Sequence, residues 1–400
     1  MAVQLLGGVD LFAIQLIDPA FAAGVIAWTI ALAVWRLVAI GTAYRLGSRA
    51  ARASSASRMV LSILIVGVIG MHAFVGYLAG SFFQAGSVIF APSPDGTTPP
   101  VAFGSRPPFS LAPGATPTIA PTPAPVTNRT TILLMGVDSG YGREHALTDT
   151  LLVLSVDRVD KTAVMMSIPR DIAEFELYSG GTYSGKINSL MTAARLDPAR
   201  FPDGPIGTLT RQIGFIIGVP VDYYAQIDLK GFEQMVNLVG GVDIDNPRAI
   251  NDPLYDWFDG TQGFQLSAGP HHLDGRLALA YVRSRQGIGD SDFTRARRQQ
   301  EVLGALRLKM TTPAGLRQLP GLLDAASRTV RTDFPADQLR DYLALAKEVG
   351  DDQTQRFVLG PPYARTPTTP GSTYVLLLDR DRIATLSIKV FGSDSAYAPR

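Results

Sequence analysis

Between Met59 and Phe83 the chain runs for twenty-five residues, MVLSILIVGVIGMHAFVGYLAGSFF, without an aspartate, glutamate, lysine or arginine. About 20 such residues in a helix cross a hydrocarbon core of ~30 Å, and soluble core helices seldom stay uncharged so long. The run reads as a membrane span. A second apolar run, about 20–40, carries only Arg36, near its end, where a long side chain reaches the interface. Neither run resembles a cleavable signal peptide, because no basic residue precedes Leu5 and because Asp10 and Asp18 interrupt the first stretch.

Charge sets the expected orientation. Arg36, Arg45, Arg49, Arg52 and Arg58 lie in or beside the short connection between the two runs, with no acid among them. Lysine and arginine are absent from Met1 to Trp35 and from Met59 to Ser105. The positive-inside rule puts the connection in the cytoplasm, and the N-terminus and everything after about Gln84 outside. Residues 1–90 thus form a two-pass anchor in the cell membrane. Residues 91–128, with segments such as SPDGTTPP and ATPTIAPTPAPV, form an extracytoplasmic Pro/Thr-rich linker of extended polyproline character. Folded sequence occupies 129–400.

That folded part alternates apolar strands with helices. TTILLMGVD (130–138), DTLLVLSVD (149–157) and TAVMMSIP (162–169) predict near-continuous apolar strands of the kind buried on both faces. Helices are expected at 206–218 and 229–241, each stopped by glycine, and at 274–285, 293–310 and near 335–349. Further strands are expected at 222–228, 242–245, near Phe357 and at 373–379. The fold class is α/β, a mixed and largely buried central sheet flanked by helices and preceded by a two-helix transmembrane hairpin.

The chain carries 36 Lys+Arg against 35 Asp+Glu, a balance that argues against a nucleic-acid partner held by bulk charge. Having no cysteine excludes disulfides, thiolate metal sites and a cysteine nucleophile. There is no P-loop, Rossmann glycine fingerprint, G-x-S-x-G or H-E-x-x-H. His271 and His272 are adjacent and read as turn residues rather than ligands.

Acids and arginines at element ends are what remain. Asp138 closes the first strand and Asp149 opens the second. If the strands are neighbours, both carboxylates meet at one sheet end, where they either hold Mg²⁺ or merely cap turns. Arg170 and Asp171 follow the third strand in SIPRD. Arg283 and Arg285 end one predicted helix in YVRSR, and Arg295, Arg298 and Gln299 share a face of the next, with Arg297 turned to solvent. A guanidinium fork suits phosphate oxygens; the competing reading is a solvated helix face.

GVDSG, TDTLLVLSVD, SIPRD, KIN (Lys186–Asn188), GGVDID, LDGRLALAYVRSR and DFTRARRQQ occur in an order that resembles the LytR-CpsA-Psr family. The likeness covers roughly Arg129 to Met310, and the tail resembles the end of the same domain. It implies a phosphotransferase that moves a glycopolymer from a polyprenyl diphosphate carrier onto peptidoglycan or another envelope acceptor, using Mg²⁺ or alternatively Mn²⁺. It further implies Asp138 and Asp149 as the metal-associated acids, with Asp149 as ligand or general base. Arg170, Arg283, Arg285, Arg295 and Gln299 are implied as the diphosphate-binding set, with Arg143 and Arg298 as further candidates. Asp149, Arg170 and Arg295 would carry catalysis, and Asp171 would orient Arg170. Asp149→Ala and Arg295→Ala are expected to abolish transfer with folding near normal. Two departures stand out: members typically have one span, and Leu147 replaces the arginine usual two residues before the second acid, so that Arg143 in the same loop is a stand-in or activity is weakened. The rival readings are a non-catalytic binder of lipid-linked glycans and a transcriptional attenuator, the latter needing a basic cytoplasmic surface.

Overall fold

The computed structural model describes residues 15–16, 18–47, 54–90, 128–137, 148–312, 318–367 and 374–398. The linker, apart from Asn128, and Asp138, Arg143 and Leu147 lie outside these. Helices α1 (Pro19–Leu46) and α2 (Ser55–Ile89) form an antiparallel hairpin, each long and apolar enough to cross a membrane. Asp18 starts α1 by accepting a hydrogen bond from the Ala20 amide, ahead of Pro19 in the first turn. The second helix extends on both sides of the uncharged run.

The folded part continues with β1 (Arg129–Val137), β2 (Thr148–Asp157), β3 (Thr162–Ser167), β4 (Ala173–Glu176), β5 (Thr182–Lys186), α3 (Leu190–Leu196), α4 (Gly204–Ile217), β6 (Tyr223–Asp228) and α5 (Leu229–Leu238). A block of short strands follows, β7 (Val242–Asn246), β8 (Ile250–Asp256), β9 (Gln262–Leu266) and β10 (Gly269–Leu273), then α6 (Gly275–Arg283) and α7 (Asp292–Met310). The tail adds α8 (Leu319–Thr329), β11 (Val330–Thr332), α9 (Leu339–Glu348), β12 (Thr354–Val358), β13 (Ala364–Arg365), β14 (Leu377–Leu378) and α10 (Arg380–Phe391).

Six strands make one mixed sheet in the order β11-β6-β1-β2-β3-β12. β2 runs antiparallel to β1 and β3, while β6 lies parallel to β1 and β12 parallel to β3. Side chains alternate across it. Leu133, Met135, Leu151, Val153, Val164 and Met166 face one core, with Leu209 and Ile213 of α4 and Ile383 and Leu386 of α10. The opposite face holds Thr150, Leu152 and Ser167, and there Gln300 of α7 donates to the Ser167 hydroxyl and the Phe357 carbonyl, both at 2.8 Å. Burial on both faces explains why these strands read as unbroken apolar runs. A second core joins α5, α6 and α7 to β7–β10.

Helix starts follow local chemistry: Asp228, Asp274 and Asp379 each cap a helix by accepting from a backbone amide, and Ser291 opens α7 in a capping box with Thr294. The helix expected over 206–218 ends at Ile217, with Gly218 at φ 75°. That expected over 229–241 ends earlier, at Leu238, because Gly240 and Gly241 both take positive φ. Three further differences are corrections. β4, β5, β8–β11 and β13 and helices α3, α8 and α10 fall outside the expected elements: the strands are short and of mixed polarity, whereas α10 carries Ile383, Leu386, Val390 and Phe391 at helical spacing, a period that could have been read. The strand expected at 373–379 reduces to Leu377–Leu378. His271 and His272 lie on β10, not in a turn: His272 bonds Asp243 on β7 at 2.6 Å, whereas His271 bonds the Ser267 carbonyl at 2.9 Å, so the two diverge.

Asp333, beside edge strand β11, accepts the Tyr224 amide at 2.7 Å, and burial pushes its carboxyl up to about 6. Against an unfolded value of ~3.9, the folded state holds this proton more tightly. Its stabilising contribution is full below about pH 4 and is lost as pH rises through about 6. Allowing for partial solvent contact, no more than about 2 kcal/mol is involved. Asp333→Asn keeps the acceptor and is expected to flatten that part of the pH dependence. Melting curves from pH 4 to 8 that stay parallel for both proteins would contradict it.

Candidate functional site

The antiparallel register pairs Leu152 with Ser167. Asp149 lies three residues before the first and Arg170 three after the second, so both come to the same sheet edge. There Arg170 Nη1 bonds Asp149 Oδ1 at 2.5 Å. The N-terminal turn of α7 arrives over this edge, and Arg295 Nη2 reaches the Asp149 carbonyl at 3.4 Å and Asp292 Oδ1 at 3.2 Å. Arg285 Nη1 stands 3.9 Å from the same Asp292 oxygen. From the other side, Asp171 lies 3.7 Å from Arg170 Nε and forms an ion pair with Lys186, at the end of β5. Four cations and three carboxylates thus form one connected cluster, drawn from five separate stretches of chain.

Gln299 is fixed beside it, donating to Thr150 Oγ1 at 2.9 Å and to the Val282 carbonyl at 3.2 Å. Gly136 makes this possible. A Cβ there would lie 3.0 Å from the Thr150 Cβ, closer than strands allow without shifting the threonine that holds Gln299.

The guanidiniums are held but not saturated. Arg295 is 8% exposed, and the Nε atoms of Arg170 and Arg295 are buried without a hydrogen-bond partner. Each Nε is enclosed, and that of Arg170 faces Asp171 at 3.7 Å without a hydrogen bond. Burial opposes the charge of Arg170, but Asp149, Asp292 and Asp171 outweigh it and raise its pKa. Burial lowers the pKa of Arg295, with the like charge of Arg170 adding and Asp292 opposing. Burial also lifts the Asp292 carboxyl above the usual carboxylate range, against the pull of Arg295 and aided by its contact with Asp171.

The predicted residues divide. Asp149, Arg170, Arg285, Arg295 and Gln299 meet at this edge. Arg283 turns away toward the β8–β9 hairpin, over the rings of Phe258 and Tyr255 at 5.0 and 5.7 Å. Arg298 is a buried strut: it donates to the Ser284 carbonyl and pairs with Asp290 at 3.3 Å, bracing the loop between α6 and α7. Arg297 is exposed, as expected. Sequence reasoning missed Lys186 and Asp292 as members of the cluster, although both sit inside the quoted motifs, in KIN and DFTRARRQQ. It also missed Asp252, a residue 1% exposed that accepts from Ser284 Oγ and from the Arg285 and Gln286 amides.

For a divalent ion, the described residues include no group of three acids or histidines able to hold one alone. Asp149 nonetheless suits one. A single oxygen is engaged by Arg170, and its side chain is 36% exposed. Mg²⁺ commonly binds through one or two carboxylates, with water and phosphate oxygens completing the shell.

Comparison with known proteins agrees with this architecture. The chain is 28% identical over 254 residues to the polyisoprenyl-teichoic acid–peptidoglycan teichoic acid transferase TagU of Halalkalibacterium halodurans, covering 63% of this chain and 75% of that protein. It is 30% identical over 205 residues to the corresponding transferase TagV of Bacillus subtilis, covering 51% and 49%. The crystal structure of B. subtilis TagV superposes with a TM-score of 0.55 at 23% identity, over 68% of this chain and 98% of that one, which establishes the shared fold. The model of the LytR_cpsA_psr family matches residues 115–379, well over half of the sequence, and the chain belongs to the LytR-CpsA-Psr family.

Proposed function

We propose that this chain is a membrane-anchored phosphotransferase that moves an anionic glycopolymer, of the teichoic-acid type named for its relatives, from a polyprenyl diphosphate carrier onto peptidoglycan. The observation that carries the reading is the convergence of the guanidinium donors of Arg170, Arg285 and Arg295 on the sheet edge at Asp149 and Asp292. Such donors, fixed before substrate arrives, stabilise charge that develops on phosphoryl oxygens without reorganising. Arg170, Arg285 and Arg295 bind the diphosphate, Gln299 orients it, and Lys186 and Asp171 hold Arg170 in place. The acceptor sugar hydroxyl attacks the phosphorus that bears the glycan. The bond from that phosphorus to the polyprenyl phosphate breaks, the hydroxyl proton is lost, and a phosphodiester and polyprenyl phosphate result. Asp149 would accept that proton or hold an ion. Mg²⁺, or Mn²⁺ in its place, would be held by Asp149 with Asp138 and would neutralise diphosphate charge.

The arginine-rich connection between α1 and α2 supports a cytoplasmic turn, with the N-terminus and the folded part of the chain outside. Full-length protein in proteoliposomes, given a lipid-linked glycopolymer and peptidoglycan, is expected to release polyprenyl phosphate in step with glycan attached to the wall. Chelation is expected to slow release by about a hundredfold or more, with recovery on adding Mg²⁺. Tight binding without release would support a glycan-binding protein instead.

A further inference from the structure

The outer end of α2 is buried along a stripe, whereas before it His72 alone of the helix's described residues is buried. Met59, Val60, Ile63, Val66 and Ile69 are 51–69% exposed, as side chains bathed in lipid would be. From Ala79 onward the pattern changes, and Ala79, Phe82, Gly86 and Ile89, spaced as one helical stripe, are buried together with Ala85. Ala22 and Phe21 of α1 cover part of this stripe. The rest is covered by the folded part of the chain: Ala326 of α8, Val330 of β11, Ala336, and Leu339 and Leu343 of α9 all belong to the same apolar cluster.

Length makes this contact coherent. A helix of 35 residues is about 52 Å long, some 20 Å more than the hydrocarbon core. Counting from Met59, ~30 Å is used up by about Ala79, where the stripe begins. The excess is therefore the part that meets α8, β11 and α9. β11 is the three-residue edge strand of the central sheet, and α2 touches it at Val330.

We infer that the last three turns of α2 are a structural element of the catalytic domain, docked between α8, β11 and α9, and that this docking fixes the height and bearing of the diphosphate site over the membrane. The domain is then not a body swinging on its proline-rich segment. A polyprenyl-linked donor, confined to the bilayer, meets a site already aimed at it. This role rests on the membrane-borne donor proposed above, but the docking itself does not.

The absence of cysteine makes the test clean. Cysteine pairs joining Ala79 or Ala85 to Ala326 or Ala336 are introduced into the full chain in membranes and oxidised. The chain is then cut by protease within 91–127. The inference expects at least one pair to keep the two fragments joined until reduction. Ala22→Cys with Ala79→Cys, cut instead at Arg49 or Arg52 between the two helices, reports on the hairpin alone. A joined control with no joined docking pair overturns the inference, and a control that fails overturns the hairpin and the docking with it. For the role in transfer, Ala85→Glu is expected to lower the rate about tenfold with a long-chain donor in proteoliposomes, the scale of a lost effective concentration. The rate with a short-chain, water-soluble donor in detergent should be unchanged. Equal losses with both donors would remove the positioning role, and no turnover of either donor by the parent protein would instead count against the proposed transferase activity.

Discussion

Arg295→Lys is expected to lower glycopolymer transfer by about a hundredfold to a thousandfold, as removal of a preorganised donor at developing negative charge does. Lysine keeps the charge but brings a point ammonium in place of a planar fork. Arg295 Nη2 reaches both Asp292 and the Asp149 carbonyl from a planar fork, a placement that an ammonium does not reproduce. Arg295→Ala should be as inactive, and also less stable, contrary to the expectation of near-normal folding drawn from sequence. With Arg295 8% exposed, its loss leaves Asp292 with the more distant Arg285, at 3.9 Å. The cost is expected to stay at about 1–3 kcal/mol, below that of a fully buried unpaired charge, because Arg285 remains beside Asp292, whose side chain is 14% exposed. The double variant Arg295→Ala/Asp292→Asn should recover the melting temperature without recovering transfer. Recovery of transfer as well would mean that Arg295 serves only to neutralise Asp292.

How the site is held explains what could be read from sequence. β1, β2 and β3 were legible because both faces of the sheet are covered, so each strand is apolar throughout. Asp149, Arg170 and Arg295 were legible as residues at element ends within recurring motifs. Asp292 was not, because an acid in the first turn of a helix has an ordinary local explanation as a partner of the helix dipole. Its second role appears only when Arg285 and Arg295 are seen on either side of it. Arg298 shows the converse. It shares a helix face with Arg295 and Gln299, yet the Ser284 carbonyl and Asp290 claim it, and nothing in its spacing distinguishes a strut from a ligand.

Asp252 is the case in which tertiary placement matters most, and its removal is expected to have the largest structural effect of any single change near the site. It sits in β8, in a segment, INDPLYD, whose mixed polarity predicts no element. Its carboxylate takes hydrogen bonds from the Leu254 amide at 3.2 Å, from Ser284 Oγ at 2.8 Å, and from the Arg285 and Gln286 amides, both at 3.1 Å. Those bonds set where the chain leaves α6 and hence where Arg285 points. In Asp252→Ala, several buried donors lose their acceptor at about 1–3 kcal/mol each, partly regained by relaxation, for a net cost of about 3–4 kcal/mol. Asp252→Asn keeps one acceptor oxygen and should fold with a smaller loss. Its transfer rate should still fall by about tenfold to a hundredfold, since a displacement of ~1 Å at a phosphate-binding arginine is enough for that. The loss is expected in kcat/KM for the lipid-linked donor, while the acceptor dependence stays parental, because the diphosphate is the group proposed for Arg285. Parental kcat/KM in a folded Asp252→Asn protein would show that the loop after α6 finds its position without this carboxylate, and that the second core alone places Arg285.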